Sequence, residues 1–142
     1  GTITPASGFV GPGGALLIGL VAGVVCYYAT QMIKNKFKID DSLDVFPVHG
    51  VGGILGTLMA GIFSSTELGV FSGYGFADGI STIAGQLSVQ AIGVVATFAY
   101  TAVVTFVLLK LVGVLTNGIR VDKDDETQGL DITLHEESGY NL

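Results

Sequence analysis

Charge is scarce in this sequence. Only 13% of its 142 residues are Asp, Glu, Lys or Arg, against about 25% in an average soluble domain, so water is a poor solvent for its surface. Cysteine is nearly missing too: Cys26 is the only one, which excludes a disulfide framework and a ligand set built on thiolates, and leaves inert packing. No Gly-rich loop ends in Lys-Ser or Lys-Thr, no Gly-x-Ser-x-Gly elbow occurs, and no His-Glu-x-x-His is present, so the common phosphate-binding, hydrolase and zinc-protease constellations are excluded. His135-Glu136-Glu137 has no second histidine nearby and reads as surface charge, so neither a metal nor an organic cofactor is implied. A positively charged start followed by a short apolar run is absent, and the opening does not read as a signal peptide.

Hydrophobic residues make up 49% of the chain, and mean hydropathy is positive. About 20 predominantly apolar residues are needed to cross the hydrocarbon of a bilayer. Three stretches satisfy this: 13–33, which carries no charge; 43–63, charged only at Asp44 and, when protonated, His49; and 87–112, where Lys110 is the one charge. The fold class expected is therefore all-α, a polytopic bundle of membrane helices. Residues 1–12 are expected to hold the end of a preceding apolar helix and a loop, and the chain to be a fragment of something longer. Residues 34–42 form a short loop, and 64–86 a loop with an interfacial segment containing Gln86.

The six basic residues fall within 34–38 and 110–123, while 1–12 and 64–79 have none. Lys and Arg accumulate in short cytoplasmic loops, which orients the chain with 34–42 and the tail 113–142 inside and 64–79 outside. Seven of the twelve acidic residues follow Arg120. The net charge of −6 thus describes a tail, not a surface for nucleic acid, and on composition alone that tail is either solvated disorder or a regulatory segment.

The 22 glycines lack a collagen period, but small residues let membrane helices approach closely. Gly52, Gly56 and Ala60 recur at a spacing of four and predict a packed stripe on the second span. On the same span lies His49. An ionisable side chain in hydrocarbon is costly and normally faces a partner helix or a polar path. Val45, four residues earlier, shares its helix face and lines the same path or simply packs. Asp41 and Asp44 are placed to cap this helix. Pro5 removes a backbone donor, which leaves carbonyls near Gly1 free to accept; Thr4 adds a hydroxyl there, although Pro5 also serves simply to end a helix.

Taken together, Asp40-Asp41-Ser42-Leu43-Asp44-Val45-Phe46-Pro47-Val48-His49-Gly50 resembles the Amt ammonium transporter family (the Amt/Mep/Rh superfamily). Thr2-Ile3-Thr4-Pro5-Ala6-Ser7-Gly8, Gly118-Ile119-Arg120-Val121 and Gly129-Leu130-Asp131 with His135 and Tyr140-Asn141 match in the family's order. The resemblance implies an eleven-span homotrimeric transporter in a bacterial inner membrane, of which this chain covers the C-terminal part and would not conduct alone. It implies that His49 is the second of two histidines lining a narrow pore for ammonium and ammonia, with Val45 and Thr4 beside the path. The tail would be cytoplasmic and regulatory, would meet a PII-type signalling protein in many relatives, and carries Thr133 at a position phosphorylated in some.

Two rivals remain. One is an ammonium sensor signalling through its tail. The other is a helix-packing membrane subunit in which His49 is structural or ligates haem, which a second histidine on another span would support; the only other histidine is His135, in the tail.

Overall fold

The computed structural model describes residues 1–68 and 72–139, and every described element is helical. A 3-10 turn, Thr4–Ala6, stands where the end of an apolar helix is expected. It is followed by α1 (Pro12–Gln31), which continues into a π turn, Met32–Lys36. Pro12 opens α1 at a position where its missing N–H is no loss, and Lys34 and Lys36 sit where cations suit the negative end of a helix dipole. A second π turn, Phe46–Val51, runs directly into α2 (Gly52–Phe63). Then come α3 (Ile83–Leu115) and two short helices, α4 (Lys123–Gln128) and α5 (Leu130–His135).

Three helical stretches are long and apolar enough to cross a membrane: Pro12–Lys36, Phe46–Phe63 and Ile83–Leu115. At 1.5 Å per residue the 18 residues of the second span about 27 Å, just under the ~30 Å hydrocarbon, while the 33 of α3 span about 50 Å. Helix α3 therefore begins before, and ends after, the 87–112 read from hydropathy. Its polar first turns are helical because their groups have partners. Thr82 caps the start, its Oγ1 accepting from the Gly85 N–H at 3.1 Å; Ser88 Oγ donates back to the Ala84 carbonyl at 2.9 Å; and Gln86 Oε1 accepts from the Ala77 N–H at 3.0 Å.

The chain divides into two units, Gly1–Thr97 and Phe98–Leu142. In the first, Ala6, Ile18 and Ala60 form a small buried core with Val10, Met59 and Phe63 packed against it. The expected stripe is buried: Gly52, Gly56 and Ala60 all face protein. Gly56 faces the backbone of Thr2, Gly52 faces the Thr2 hydroxyl, and Ala60 packs with Ala6 and Ile18. A Cβ on Gly56 would collide with the Thr2 carbonyl oxygen, and one on Gly52 would lie 2.7 Å from Thr2 Oγ1 and 3.2 Å from Cys26 Sγ of α1. Cys26 is half-buried at this junction. Large apolar side chains on α1, Leu16, Leu20 and Val24 among them, are exposed, as expected of a helix that is hydrophobic all round and meets lipid or further protein.

In the second unit the residues after Leu115 are not all extended. Arg120 and Glu126 form a forked ion pair, Nη2 to Oε1 at 2.7 Å and to Oε2 at 2.9 Å. It lies at the start of α4, and Arg120 holds the Glu126 carboxyl below the usual carboxylate range. Gly129, at φ +97°, turns the chain between α4 and α5, a conformation open to glycine and rarely to other residues. The tail match at Tyr140-Asn141 lies outside the described residues.

Candidate functional site

The helix bearing His49 is anchored at its first residues. Both carboxylate oxygens of Asp41 accept backbone N–H bonds at 2.8 Å, Oδ1 from Val45 and Oδ2 from Phe46. These orphan donors of a first turn would otherwise need water. The two bonds, Phe46 first and Val45 second, hold the Asp41 carboxyl below its ordinary value, with the Lys34 ammonium adding to the effect. Asp44 does not cap: at φ +54° it turns the chain into the helix, and its Oδ1 meets Lys34 Nζ at 2.8 Å. The start of the His49 helix is thereby tied to the π turn that ends the first span. The sequence-based expectation of a capping pair divides in the structure into one cap and one ion pair.

Because the Asp41 carboxyl is depressed in the folded protein, its contribution to stability is full above the unfolded value of about 4 and is lost as pH falls through the lower folded value. Asp41→Asn should therefore flatten the acid limb of the thermal-stability profile below about pH 4 while leaving the neutral limb parallel to wild type. Identical acid limbs, recorded by circular dichroism melts across pH, would refute the cap.

His49 sits within the π turn, Phe46–Val51. Such wide turns inside helices occur frequently at functional sites. Pro47 is fully buried in the same turn, where an early proline costs the helix little. Gly50 lies under the Phe46 ring, which a Cβ there would strike at 2.9 Å. The His49 side chain is exposed in this chain, and Val45, one turn earlier, is 52% exposed. The segment leading to Pro5 passes beside the imidazole. A Cβ on Gly1 would lie 3.4 Å from His49 Nδ1 and 2.8 Å from the Val48 carbonyl oxygen. The Gly1 backbone therefore runs close to the ring, a proximity that the sequence does not predict. Sequence reasoning singles out Thr4 and the carbonyls near Gly1 but does not place either beside His49. Thr4 is exposed in the 3-10 turn, its carbonyl accepting from the Ser7 N–H at 3.2 Å, and no side-chain hydrogen bond joins it to His49 or Val45.

Thr133 belongs to the other unit. It lies on α5, half-buried, and its Oγ1 donates to the Gly129 carbonyl at 3.2 Å. Among the described residues no group of three or more His, Cys, Asp or Glu side chains could hold a metal ion.

The arrangement is an anchored, apolar helix presenting one imidazole beside backbone. A neutral imidazole offers one donor and one acceptor; an ammonium ion is a donor only, and ammonia does both. The exposed imidazole thus offers one donor or one acceptor to a small hydrogen-bonding molecule.

A sequence model of the Ammonium Transporter Family matches residues 2–140. A protein of Methanothermobacter thermautotrophicus is 47% identical over 99% of this chain and 34% of its own length. An ammonium transporter of Archaeoglobus fulgidus is 44% identical over 97% of this chain and 34% of its own. An ammonium transporter of Bacillus subtilis is 36% identical, again over 97% of this chain and 33% of its own. The chain thus spans about a third of the length of these relatives.

Proposed function

This chain belongs to the ammonium transporter family, and from that premise we propose that it forms part of a membrane protein that takes up ammonium by passing ammonia along an apolar path lined by His49. It is a transporter reading and not an enzymatic one. The observation that carries it is the family's histidine motif folded as an anchored π turn, with His49 Nδ1 beside the Gly1 backbone.

Ammonium and potassium are alike in charge and similar in size, but only ammonium can give up a proton and cross as a neutral molecule. The ion is recruited outside and leaves its proton to a base or to a histidine relay. Ammonia then exchanges hydrogen bonds with His49 and with a second imidazole that the family contributes from its other half. Val45 keeps water from competing on one side, and Thr4 offers a hydroxyl on the approach. Uptake of ammonium against potassium, measured in transporter-deficient cells expressing the protein from its native gene, tests the reading. Selective ammonium uptake is expected, and equal flux of the two ions would overturn it.

The tail 113–142 is regulatory in this reading, lies on the cytoplasmic side of a bacterial plasma membrane, and offers a surface to a PII-type protein. The protein assembles as a homotrimer, which the exposed apolar faces of α1 and α3 accommodate. A phosphate on Thr133 would add roughly −1.5 to −2 charges beside Asp131, Glu136 and Glu137 and would compete for the hydroxyl now bonded to Gly129; in the same uptake assay Thr133→Asp should lower flux and leave its selectivity unchanged.

The basic residues support the sidedness. In a Cys26→Ser background, an impermeant thiol reagent added to intact cells should modify Tyr74→Cys, whose parent side chain is 87% exposed, and should spare Lys36→Cys and Thr133→Cys. The opposite pattern would reverse the orientation.

A further inference from the structure

Residues 37–43 join the first span to the helix bearing His49, and apart from the half-buried Asp41 their side chains are exposed. Packing therefore does little to fix this loop. Left-handed backbone brackets it, with Lys38 at φ +52° and Asp44 at φ +54°. Aspartate visits that region more readily than lysine, and such conformations persist where their surroundings hold them.

Across the loop Lys34 Nζ meets Asp44 Oδ1 at 2.8 Å. The Asp44 side chain as a whole is 32% exposed, yet Oδ1 is enclosed and receives no aligned hydrogen bond among the described residues. The Lys34 charge is what compensates it. An ion pair this open to solvent adds little to stability. Its effect is on position, because the Asp44 carbonyl accepts from the Val48 N–H at 3.0 Å, and Val48 is the residue before His49.

The backbone donors ahead of His49 are thus divided between two aspartates. Asp41 accepts from Val45 and Phe46, Pro47 has no N–H, and Asp44 accepts from Val48. Of the two, Asp44 is the one in an ion pair with the end of the first span. On its other side Val48 faces the first residue of the chain: a Cβ on Gly1 would lie 2.8 Å from the Val48 carbonyl oxygen. A shift of Val48 therefore moves His49 relative to the Gly1 backbone.

We propose that Lys34 is a positioning residue for transport: its ion pair with Asp44 holds the Asp44 carbonyl against Val48 and so fixes where His49 stands beside the Gly1 backbone. This rests on the reading of His49 as a transport residue. In that reading the ion is recruited at the far end of the same helix, beyond Phe63, so loss of the pair slows passage and leaves capture unchanged.

The test measures ammonium uptake rate against concentration in transporter-deficient cells expressing the protein from its native gene. Lys34→Met removes the charge and keeps most of the stem, while Asp44→Asn removes the other charge with a residue that also accepts left-handed backbone. The double variant Lys34→Met/Asp44→Asn leaves no unpaired charge, so it should reach the membrane in normal amount with a thermal midpoint close to wild type. All three should lose about tenfold in maximum rate, the equivalent of one hydrogen bond to a charged group, with the half-saturating concentration unchanged. Lys34→Arg, which keeps a cation within reach of Asp44, should retain most of the rate. A wild-type rate in the double variant would overturn the proposal. So would a loss of rate matched by a loss of membrane protein, or a raised half-saturating concentration at unchanged maximum rate. His49→Ala measured alongside separates the two readings: a slow His49→Ala beside a double variant of normal rate overturns the role of Lys34 alone, whereas a His49→Ala of normal rate withdraws the transport reading beneath it.

Discussion

Ammonium uptake should fall by about 5- to 150-fold in His49→Ala, with the protein still reaching the membrane in normal amount. In the proposed path the substitution removes a donor and an acceptor, and an unmade hydrogen bond there costs about 1–3 kcal/mol, which is that range in rate. It removes little packing, since the His49 side chain is exposed in this chain. His49→Glu separates two causes. A fixed anion can pass a bare cation, so flux should partly survive while preference over potassium is lost. Uptake by His49→Ala equal to wild type, at equal membrane protein, would leave the histidine a structural part of the π turn and withdraw the proposed path.

The second large effect is on folding. Gly56→Ala drives a methyl group into the Thr2 carbonyl oxygen, with the Thr2 carbonyl carbon at 2.8 Å. Overpacking ordinarily costs about 1–3 kcal/mol because side chains yield. Here the obstacle is backbone, so the segment carrying Thr2 must leave the groove, and the cost belongs at the top of that range or above it. The position beside His49 goes with it, because Gly1 lies on the same segment. Gly53→Ala is the control, since a Cβ there meets nothing within 4 Å. The expected result is a clear loss of thermal stability and of uptake in Gly56→Ala and little change in Gly53→Ala. Equal behaviour of the two would mean that Thr2 does not occupy the groove.

These two sites differ in how far they could be read from sequence. The histidine stands out because a titratable group within hydrocarbon is costly whatever surrounds it. The stripe Gly52, Gly56, Ala60 is visible as a spacing. Its partner is not, because against Gly56 Thr2 packs through its backbone, and backbone leaves no mark on composition. Hydropathy finds the three spans but not the ends of α3: Gln86, Ser88 and Gln90 lower the apolar score of its opening turns, whereas the partners of Gln86 and Ser88 are found within ten residues. In the tail, charge density suggests coil. What orders α4 and α5 is the pairing of Arg120 with Glu126 across six positions and the turn at Gly129, neither of which a charge count resolves. Asp44 was legible as an acid near a helix start, but its partner Lys34 comes from the end of the preceding span.

The π turn around His49 has a bearing on evolution and engineering. A helix advances 100° per residue, so a wide turn that holds one extra residue rotates everything after it by about that angle relative to an unbroken α-helix. In this helix the residues before the turn carry the capping contacts, the turn itself carries the imidazole, and the residues after it carry the packing groove. The extra residue sets the phase between the face that carries the imidazole and the face that carries the packing groove, so each keeps its own direction. Length, more than identity, is then the constrained property of Phe46–Val51, and changes that conserve its count of residues are the ones the helix can absorb.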